Sequence, residues 1–265
     1  MGTVAISVDV TKCTGCRGCQ VACKQWNDLT AVKTGFSGSY ENPPQVGGAT
    51  WTKVKYIEEK QAGGQVRFLF RKIQCMHCTE ASCIEVCPAG AISKLENGTT
   101  VINQDRCIGC KNCVVACPFG AVGFDPATGT SRKCWLCQNR LENNLQPACV
   151  KACPPGAVQF GDREELLAKA VARVQELKAA GTDAYLYGEN ELGGLNALYV
   201  LDAPPKVYGL PEKPKVATAG LFGSWVSVLV GAGILALAPF KLLFSDKEAE
   251  IAKTPGTGVD QNASS

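Results

Sequence analysis

Cysteines are the residues of this chain with the clearest capacity for chemistry. The 265-residue sequence contains 16 of them, against one histidine and two methionines. They fall into groups of four with none left over, named here quartets one to four in chain order: Cys13, Cys16, Cys19, Cys23; Cys75, Cys78, Cys83, Cys87; Cys107, Cys110, Cys113, Cys117; and Cys134, Cys137, Cys149, Cys153. Thiolates grouped in this way bind zinc or iron–sulfur clusters.

The spacing of quartets one and three indicates iron–sulfur clusters. Both read C-x2-C-x2-C-x3-C, the arrangement that holds [4Fe–4S] clusters in bacterial ferredoxins. Gly15 and Gly109, inside CTGC and CIGC, permit the backbone turns that let thiolates and amides surround a cluster. In two-cluster ferredoxins the fourth cysteine of each run binds the other cluster, so the motifs work in pairs. Four quartets therefore predict two pairs and four [4Fe–4S] clusters.

Zinc is the main alternative metal. Four cysteines built from C-x2-C pairs can hold a zinc ion, and the chain would then be a membrane-tethered scaffold without redox function. A zinc ribbon needs two such pairs, however, and leaves no role for the repeated x3-C ending. Disulfides fit poorly because cysteines two residues apart are badly placed to bridge each other, and no export signal is visible.

A six-residue phrase ends three of the quartets and is missing from the first. It reads CPAGAI at Cys87, CPFGAV at Cys117 and CPPGAV at Cys153. We expect the proline to end a short helix, the glycine to turn the chain and the last residues to start a strand. After Cys23 the chain reads KQWND, with Lys24 in place of proline. This predicts that the first helix continues into a long insert.

A β-hairpin is predicted within that insert. Trp51–Glu59 alternates, Ala62–Gly64 turns the chain, and Gln65–Phe70 returns. Downstream, Ala197–Asp202 predicts a further strand.

Gly161–Gly181 predicts an amphipathic helix that packs without chemistry of its own. Asp162 is its expected N-cap, with Glu165 in a capping-box arrangement and Gly181 as the stop. Its apolar face comprises Leu166, Leu167, Ala170, Val174 and Leu177.

A long uncharged segment predicts a membrane span. Val216 to Phe240 comprises 25 residues without charge, which as a helix reaches about 37 Å and can cross a hydrocarbon core of about 30 Å. Prolines before it predict a stiff, extended linker: Pro204, Pro205, Pro211 and Pro214. Small residues at i, i+4 spacing predict a face that packs on another membrane helix: Ala219, Gly223, Ser227 and Gly231. The span lacks His and Met, so a membrane haem would belong to a partner.

These motifs resemble the four-cluster iron–sulfur subunits of molybdenum and tungsten oxidoreductases. Quartet two reads C-x2-C-x4-C-x3-CP and quartet four reads C-x2-C-x11-C-x3-CP. Within that group, CRGCQVACKQWND, QCMHC, KCWLCQNR, PACVKACPPGAVQFG and LYGENELGGLNALYVL are most similar to the β subunits of membrane-bound formate dehydrogenases. The resemblance extends from about Val8 to Phe240 and includes the single C-terminal membrane segment.

The resemblance implies which cysteines share a cluster, since the family pairs quartet one with four and two with three. The implied ligand sets are cluster 1, Cys13, Cys16, Cys19 and Cys153; cluster 4, Cys134, Cys137, Cys149 and Cys23; cluster 2, Cys75, Cys78, Cys83 and Cys117; and cluster 3, Cys107, Cys110, Cys113 and Cys87.

The implied fold class is α+β, with two ferredoxin-like modules of two [4Fe–4S] clusters each, an inserted hairpin and one C-terminal transmembrane helix. The domains would be 1–23 with 134–160 as the first module, 24–74 as the insert, 75–133 as the second module, 161–215 as helix, strand and linker, 216–240 as the membrane helix, and 241–265 as a polar tail.

The family further implies electron transfer without a catalytic site on this chain. A molybdopterin catalytic α subunit holding Mo or W would oxidise formate, and this chain would pass electrons to a membrane cytochrome b γ subunit and quinone. A related polysulfide, dimethyl sulfoxide or nitrate reductase, or a hydrogenase, is the alternative setting. His77, in CMHC, is expected beside a cluster or at the surface, without a catalytic role.

The implied location is the bacterial inner membrane, with the cluster domain in the periplasm. Lysines are balanced on the two sides of the predicted span, so charge alone does not set its orientation. The net charge of +3 does not indicate nucleic-acid binding.

Overall fold

Short helices and short strands alternate along the chain. The structure is a computed structural model that describes residues 2–36, 38–61 and 63–219. Its elements are β1 Val4–Asp9, α1 Gly18–Trp26, β2 Lys53–Lys60, β3 Val66–Ile73, α2 Ser82–Glu85, β4 Ile92–Lys94, β5 Thr100–Ile102, α3 Asn112–Ala116, β6 Val122–Asp125, β7 Thr130–Lys133, α4 Gln138–Leu141, α5 Ala148–Lys151, β8 Val158–Asp162, α6 Arg163–Ala179, β9 Tyr185–Tyr187 and β10 Ala197–Leu201.

A four-stranded mixed sheet joins the start of the chain to its later segments. The strand order is β8-β1-β10-β9, with β1 antiparallel to β8 and parallel to β10. Ile6 is opposite Phe160 on one side and Ala197 on the other. All six residues of β1 are buried, as expected for a central strand covered on both faces. Quartet one, which follows β1, is thereby brought next to quartet four, which precedes β8.

The predicted amphipathic helix is confirmed as α6. Its N-cap Asp162 accepts hydrogen bonds from the amides of Glu164 at 2.9 Å and Glu165 at 3.3 Å. Gly181 follows the helix with a φ of +82°. The helix covers one face of the sheet with Leu166, Ala170 and Val174 buried and with Leu167 and Leu177 half-buried.

The three repeated phrases form the turns that the sequence predicts. The amides of Gly90, Gly120 and Gly156 donate to the carbonyls of Cys87, Cys117 and Cys153, at 3.1 to 3.2 Å. Each glycine has a positive φ, which costs glycine less than other residues. Strands β4, β6 and β8 begin two residues after these glycines.

The first helix behaves differently, also as predicted. α1 continues past Cys23 to Trp26 and then leads into the insert. α1 packs against α5, and α2 packs against α3, so two similar pairs of helices carry the cysteines.

The predicted hairpin is confirmed as β2 and β3, which pair antiparallel from Lys53 with Ile73 to Lys60 with Val66. The side chains of Val54 and Leu69 anchor the hairpin, because both are buried in the main hydrophobic core. Two shorter hairpins, β4-β5 and β6-β7, were not predicted.

The prediction of an extended, proline-stiffened linker is wrong for residues 203–215. Residues 205–209 of this segment form turns, and Tyr208 and Leu210 are buried in the core. The hydroxyl of Tyr187 donates to the carbonyl of Pro211 at 2.7 Å. The aromatic and aliphatic side chains between the prolines are removed from water in this packed conformation, which is more favourable than their exposure in an extended chain.

Most of the predicted membrane span lies outside the described residues, as do Gly223, Ser227 and Gly231 of its proposed packing face. The first residues of the span, Val216–Ala219, are not helical, and the amide of Ala217 donates to Oγ of Ser82 at 3.0 Å. Within residues 2–36, 38–61 and 63–219, no helix has both the length and the apolar character to cross a membrane.

The cap of α6 gives a direct test of this packing. Replacing Asp162 by Ala removes the acceptor for two amides at the helix N-terminus. We expect the free energy of unfolding to fall by about 1 kcal/mol, measured by urea denaturation followed by circular dichroism. Asp162→Asn keeps an acceptor at the same place and should retain most of the stability. Equal losses in the two variants would contradict the assigned cap.

Candidate functional site

One backbone turn recurs in all four C-x2-C segments. The residue before the second cysteine always has a positive φ: Gly15 at 69°, His77 at 48°, Gly109 at 69° and Leu136 at 59°. Non-glycine residues adopt this conformation only when their surroundings hold them there. The turn folds the segment around its thiols, as predicted from Gly15 and Gly109.

Glycine is required in two of these turns by close packing as well as by φ. A Cβ at Gly15 would lie 2.8 Å from the ring of Phe70 on β3. A Cβ at Gly109 would lie 2.2 Å from the carbonyl oxygen of Gly129. The insert hairpin also braces the first turn, because the hydroxyl of Tyr56 donates to the carbonyl of Gly15.

Backbone amides point at several cysteine sulfurs. Four such N–H···Sγ contacts lie at 3.3 to 3.5 Å: Gly18 to Cys16, Ala91 to Cys87, Ser131 to Cys107 and Ala121 to Cys117. Amide donors stabilise negative charge on sulfur, and they are among the groups that set the potential of a cluster.

Thiols of quartets one and four lie near each other. Burial raises the pKa of Cys23, and the neighbouring thiols of Cys134, Cys149 and Cys137 raise it further. Burial likewise raises the pKa of Cys13, with a contribution from Cys153. Cys23 therefore neighbours the first three cysteines of quartet four, and Cys153 neighbours Cys13 and Cys19 of quartet one.

Quartets two and three show the same exchange. Burial raises the pKa of Cys78, followed by the effects of Cys75, Cys117 and Cys83. Thiols from both quartets also line one small cavity, namely those of Cys87, Cys107, Cys110 and Cys113.

The thiol groups fit clusters in their chemistry. All 16 cysteines are free thiols. Several are buried where the thiolate form is unfavourable unless a cation binds it. In the described part of the chain, no three Cys, His, Asp or Glu side chains are placed to hold one metal ion.

Buried basic residues lie among the thiols, and the sequence did not single them out. Lys72 on β3 is 2% exposed. Burial lowers its pKa, but the thiolates of Cys149, Cys19 and Cys134 outweigh burial and raise it overall. Lys133 on β7 is 4% exposed, and its Nζ donates to the carbonyl of Cys134 at 3.1 Å. Their position in the sequence could have identified them, since the two lysines closely precede quartets two and four in RKIQC and RKC.

His77 is buried, with 1% of its surface exposed, and is therefore not a surface residue. Burial would raise the pKa of Cys75, but His77 and Lys133 outweigh it and lower that pKa to about 5. A thiol with a depressed pKa is ready to bind metal as thiolate.

Exposure distinguishes two of the thiols from the rest. Cys16 and Cys110 are exposed, and the other cysteines are buried or half-buried. Hydrophobic residues near both are also exposed. Val21, five residues after Cys16, is 62% exposed, and Ile108, two residues before Cys110, is 68% exposed.

The turn of quartet three offers a test of the geometry. Gly109→Ala would place Cβ against the carbonyl of Gly129, and we expect the protein to lose one cluster's share of iron. Gly156→Ala is the matched control, because its φ of +64° is close to the +69° of Gly109 and its Cβ would meet nothing within 4 Å. Iron and acid-labile sulfide are measured in both variants. Equal iron contents would contradict the steric role of Gly109.

Family models match the cysteine-bearing part of the chain twice. Residues 12–91 and residues 66–163 each match a 4Fe-4S dicluster domain. Two dicluster domains carry four [4Fe–4S] clusters, which confirms the number predicted from the quartets.

Relatives extend the match beyond the clusters. The chain is 39% identical to the iron-sulfur subunit of the nitrate-inducible formate dehydrogenase of Escherichia coli, over 88% of this chain and 81% of the relative. It is 40% identical to the formate dehydrogenase-O iron-sulfur subunit of Escherichia coli, over 84% and 76% of the two chains. The formate dehydrogenase iron-sulfur subunit of Haemophilus influenzae is 39% identical, over 98% and 83%. The predicted resemblance is thus confirmed, and the chain belongs to the family of formate dehydrogenase iron–sulfur subunits.

Proposed function

We propose that this chain relays electrons from a catalytic subunit that oxidises formate to an acceptor in the membrane. The observation that carries this proposal is the neighbouring placement of thiols from different quartets, together with the exposure of Cys16 and Cys110. The clusters supply one-electron exchange when bound. The protein would hold them in a row, with all four thiols of cluster 4 buried, and leave the substrate chemistry to a partner.

The order of the clusters is proposed from the electrostatic effects that thiols of different clusters have on one another. Cys19 of cluster 1 interacts with Cys149 of cluster 4, which connects the first two positions. Cys134 of cluster 4 interacts with Cys75 of cluster 2. These contacts favour the beginning of the order as 1, 4, 2.

Cluster 3 completes the row. Cys83 of cluster 2 interacts with Cys113 of cluster 3. Electrons would therefore pass in the order 1, 4, 2, 3 between exposed Cys16 and exposed Cys110. The assignment of thiols to clusters is the family's, and the exchanged neighbours of Cys23 and Cys78 support it.

The division into modules is part of the same proposal. Residues 1–23 with 134–160 form the first module, supported by the pairing of β1 with β8 and the packing of α1 on α5. Residues 75–133 form the second, supported by the packing of α2 on α3.

The partners follow from the family. The relatives named as formate dehydrogenase subunits support a molybdopterin catalytic α subunit holding Mo or W as the electron donor. We propose a cytochrome b γ subunit and quinone as the acceptor side. The uncharged segment 216–240 would anchor the chain in the bacterial inner membrane, with the clusters in the periplasm and with Gly223, Ser227 and Gly231 facing a partner helix. Ala219, the first residue of the predicted face, is not helical and is left out of this proposal.

The electron source is tested in the isolated membrane complex. Electron paramagnetic resonance spectra are recorded without oxygen before and after addition of formate. We expect formate alone to reduce several [4Fe–4S] clusters. Reduction by dithionite but not by formate would assign the chain to a sister oxidoreductase, and zinc in place of iron would overturn the electron-transfer role.

The exchange of ligands between quartets is tested by four serine variants compared in two pairs. Cys153→Ser, although in quartet four, should abolish the same cluster signal as Cys13→Ser, because both residues belong to cluster 1. Cys23→Ser should instead match Cys134→Ser. The spectra of the four variants are compared after chemical reduction. Loss of the cluster of its own quartet in Cys153→Ser would contradict the proposed sets.

A further inference from the structure

His77 lies at the junction between the two modules and has no role in the relay described so far. It is the single histidine of the chain and is 1% exposed. It occupies the turn position that quartets one and three fill with Gly15 and Gly109, with a φ of +48°. A buried imidazole at a strained position, where glycine serves elsewhere in the same chain, indicates that the ring itself has a function.

One nitrogen of the ring is fixed as an acceptor. The backbone amide of Thr100 donates to Nδ1 at 3.1 Å. The imidazole is therefore the neutral tautomer with its hydrogen on Nε2, which is a donor. Nε2 is buried and has no hydrogen-bond partner of ordinary geometry within the described residues. A buried donor without an acceptor is unfavourable, so an acceptor is expected among the groups around Nε2.

Two cysteine sulfurs interact with this ring. They belong to Cys75 and Cys134, which pack together in one buried cluster beside the ring. Cys75 is in the proposed set of cluster 2, and Cys134 is in that of cluster 4. Because Nδ1 already receives the Thr100 amide, Nε2 is the nitrogen left to face both sulfurs.

We propose that Nε2–H of His77 is shared between the sulfur ligands of two different clusters, Cys75 of cluster 2 and Cys134 of cluster 4, and sets the reduction potentials of both. This inference rests on the proposed function through its ligand sets. His77 is a positioning residue in this proposal, since it binds neither iron nor substrate.

The physical reason is the charge that reduction adds. A reduced cluster places more negative charge on its sulfurs, so a donor to those sulfurs stabilises the reduced form and raises the potential. One donor between two clusters raises both potentials together. It therefore limits the difference between them at the step where an electron crosses from one module to the other.

The competing role for His77 is structural, as a side chain that fills the turn. Leu136 shows that an apolar residue can occupy the equivalent turn of quartet four, at φ +59° and 1% exposure. A filling role needs no polar hydrogen at Nε2. The two roles are separated by variants that keep or remove that hydrogen.

His77→Asn and His77→Gln form the matched pair. The Asn oxygen takes the place of Nδ1 and can still accept from Thr100, but nothing replaces Nε2, and Asn tolerates positive φ. The Gln amide nitrogen reaches the place of Nε2 and restores a donor. Midpoint potentials of all four clusters are measured in the full membrane complex by mediated titration with dithionite, followed by electron paramagnetic resonance, with iron content as the check on assembly.

We expect His77→Asn to keep its iron and to lower two of the four potentials, with a tenfold shift in each reduction equilibrium, equal to about 59 mV for one electron. His77→Gln should lie close to wild type. The inference is overturned if both variants keep wild-type potentials, if one potential alone falls, or if all four fall equally.

A variant that loses iron has its own outcome. If His77→Asn fails to assemble, His77→Leu replaces it, because Leu136 already occupies the same turn in quartet four. Lower potentials of two clusters in His77→Leu than in His77→Gln support the shared donor, and loss of iron in all three variants assigns His77 a structural role. A wild-type complex without four cluster signals would instead overturn the proposed function. The dithionite titration detects this outcome separately, because it does not depend on formate.

Discussion

The constraint on which the rest of the structure depends is the negative charge of thiolates placed in the interior of a small protein. Burial raises the pKa of thiols such as Cys23 and Cys78, so the thiolate form of these side chains is unfavourable unless positive charge lies next to it. The metal clusters supply most of that charge. The protein adds backbone amides directed at Cys87, Cys107 and Cys117, and it places the ammonium of Lys72 beside Cys19 and Cys149. Segments with no cysteines are thus part of the same electrostatic arrangement.

The insert illustrates this dependence. The hairpin of β2 and β3 contributes no ligand, yet it carries Lys72 into the interior and packs Phe70 against Gly15. Its strand β3 leads directly into quartet two, so the same element supports quartet one and positions the start of the second module. The segment 203–215 has a comparable supporting role, since Tyr208 and Leu210 close the main core and the carbonyl of Pro211 binds the hydroxyl of Tyr187.

A short stretch around Cys75 and Cys134 lies where the two proposed modules meet. The two thiols interact, and His77 and Lys133 lie beside them. Both basic residues come from segments that also supply a cysteine, which keeps the polar groups and the sulfurs in fixed register. Cys16 and Cys110 are exposed, whereas the four thiols assigned to cluster 4 are all buried.

The sequence by itself determined the features that depend on neighbours along the chain. Cysteine spacing indicated the clusters, the proline and glycine of the repeated phrase indicated the turns, and Lys24 in place of proline indicated that α1 continues past Cys23. Those properties follow from local backbone geometry and covalent spacing. Tertiary structure alone decided the parallel pairing of β1 with β10, the packed course of residues 203–215, and the burial of Lys72, Lys133 and His77. These features arise from contacts between segments that are distant in sequence, where burial of apolar surface and compensation of buried charge outweigh local preference.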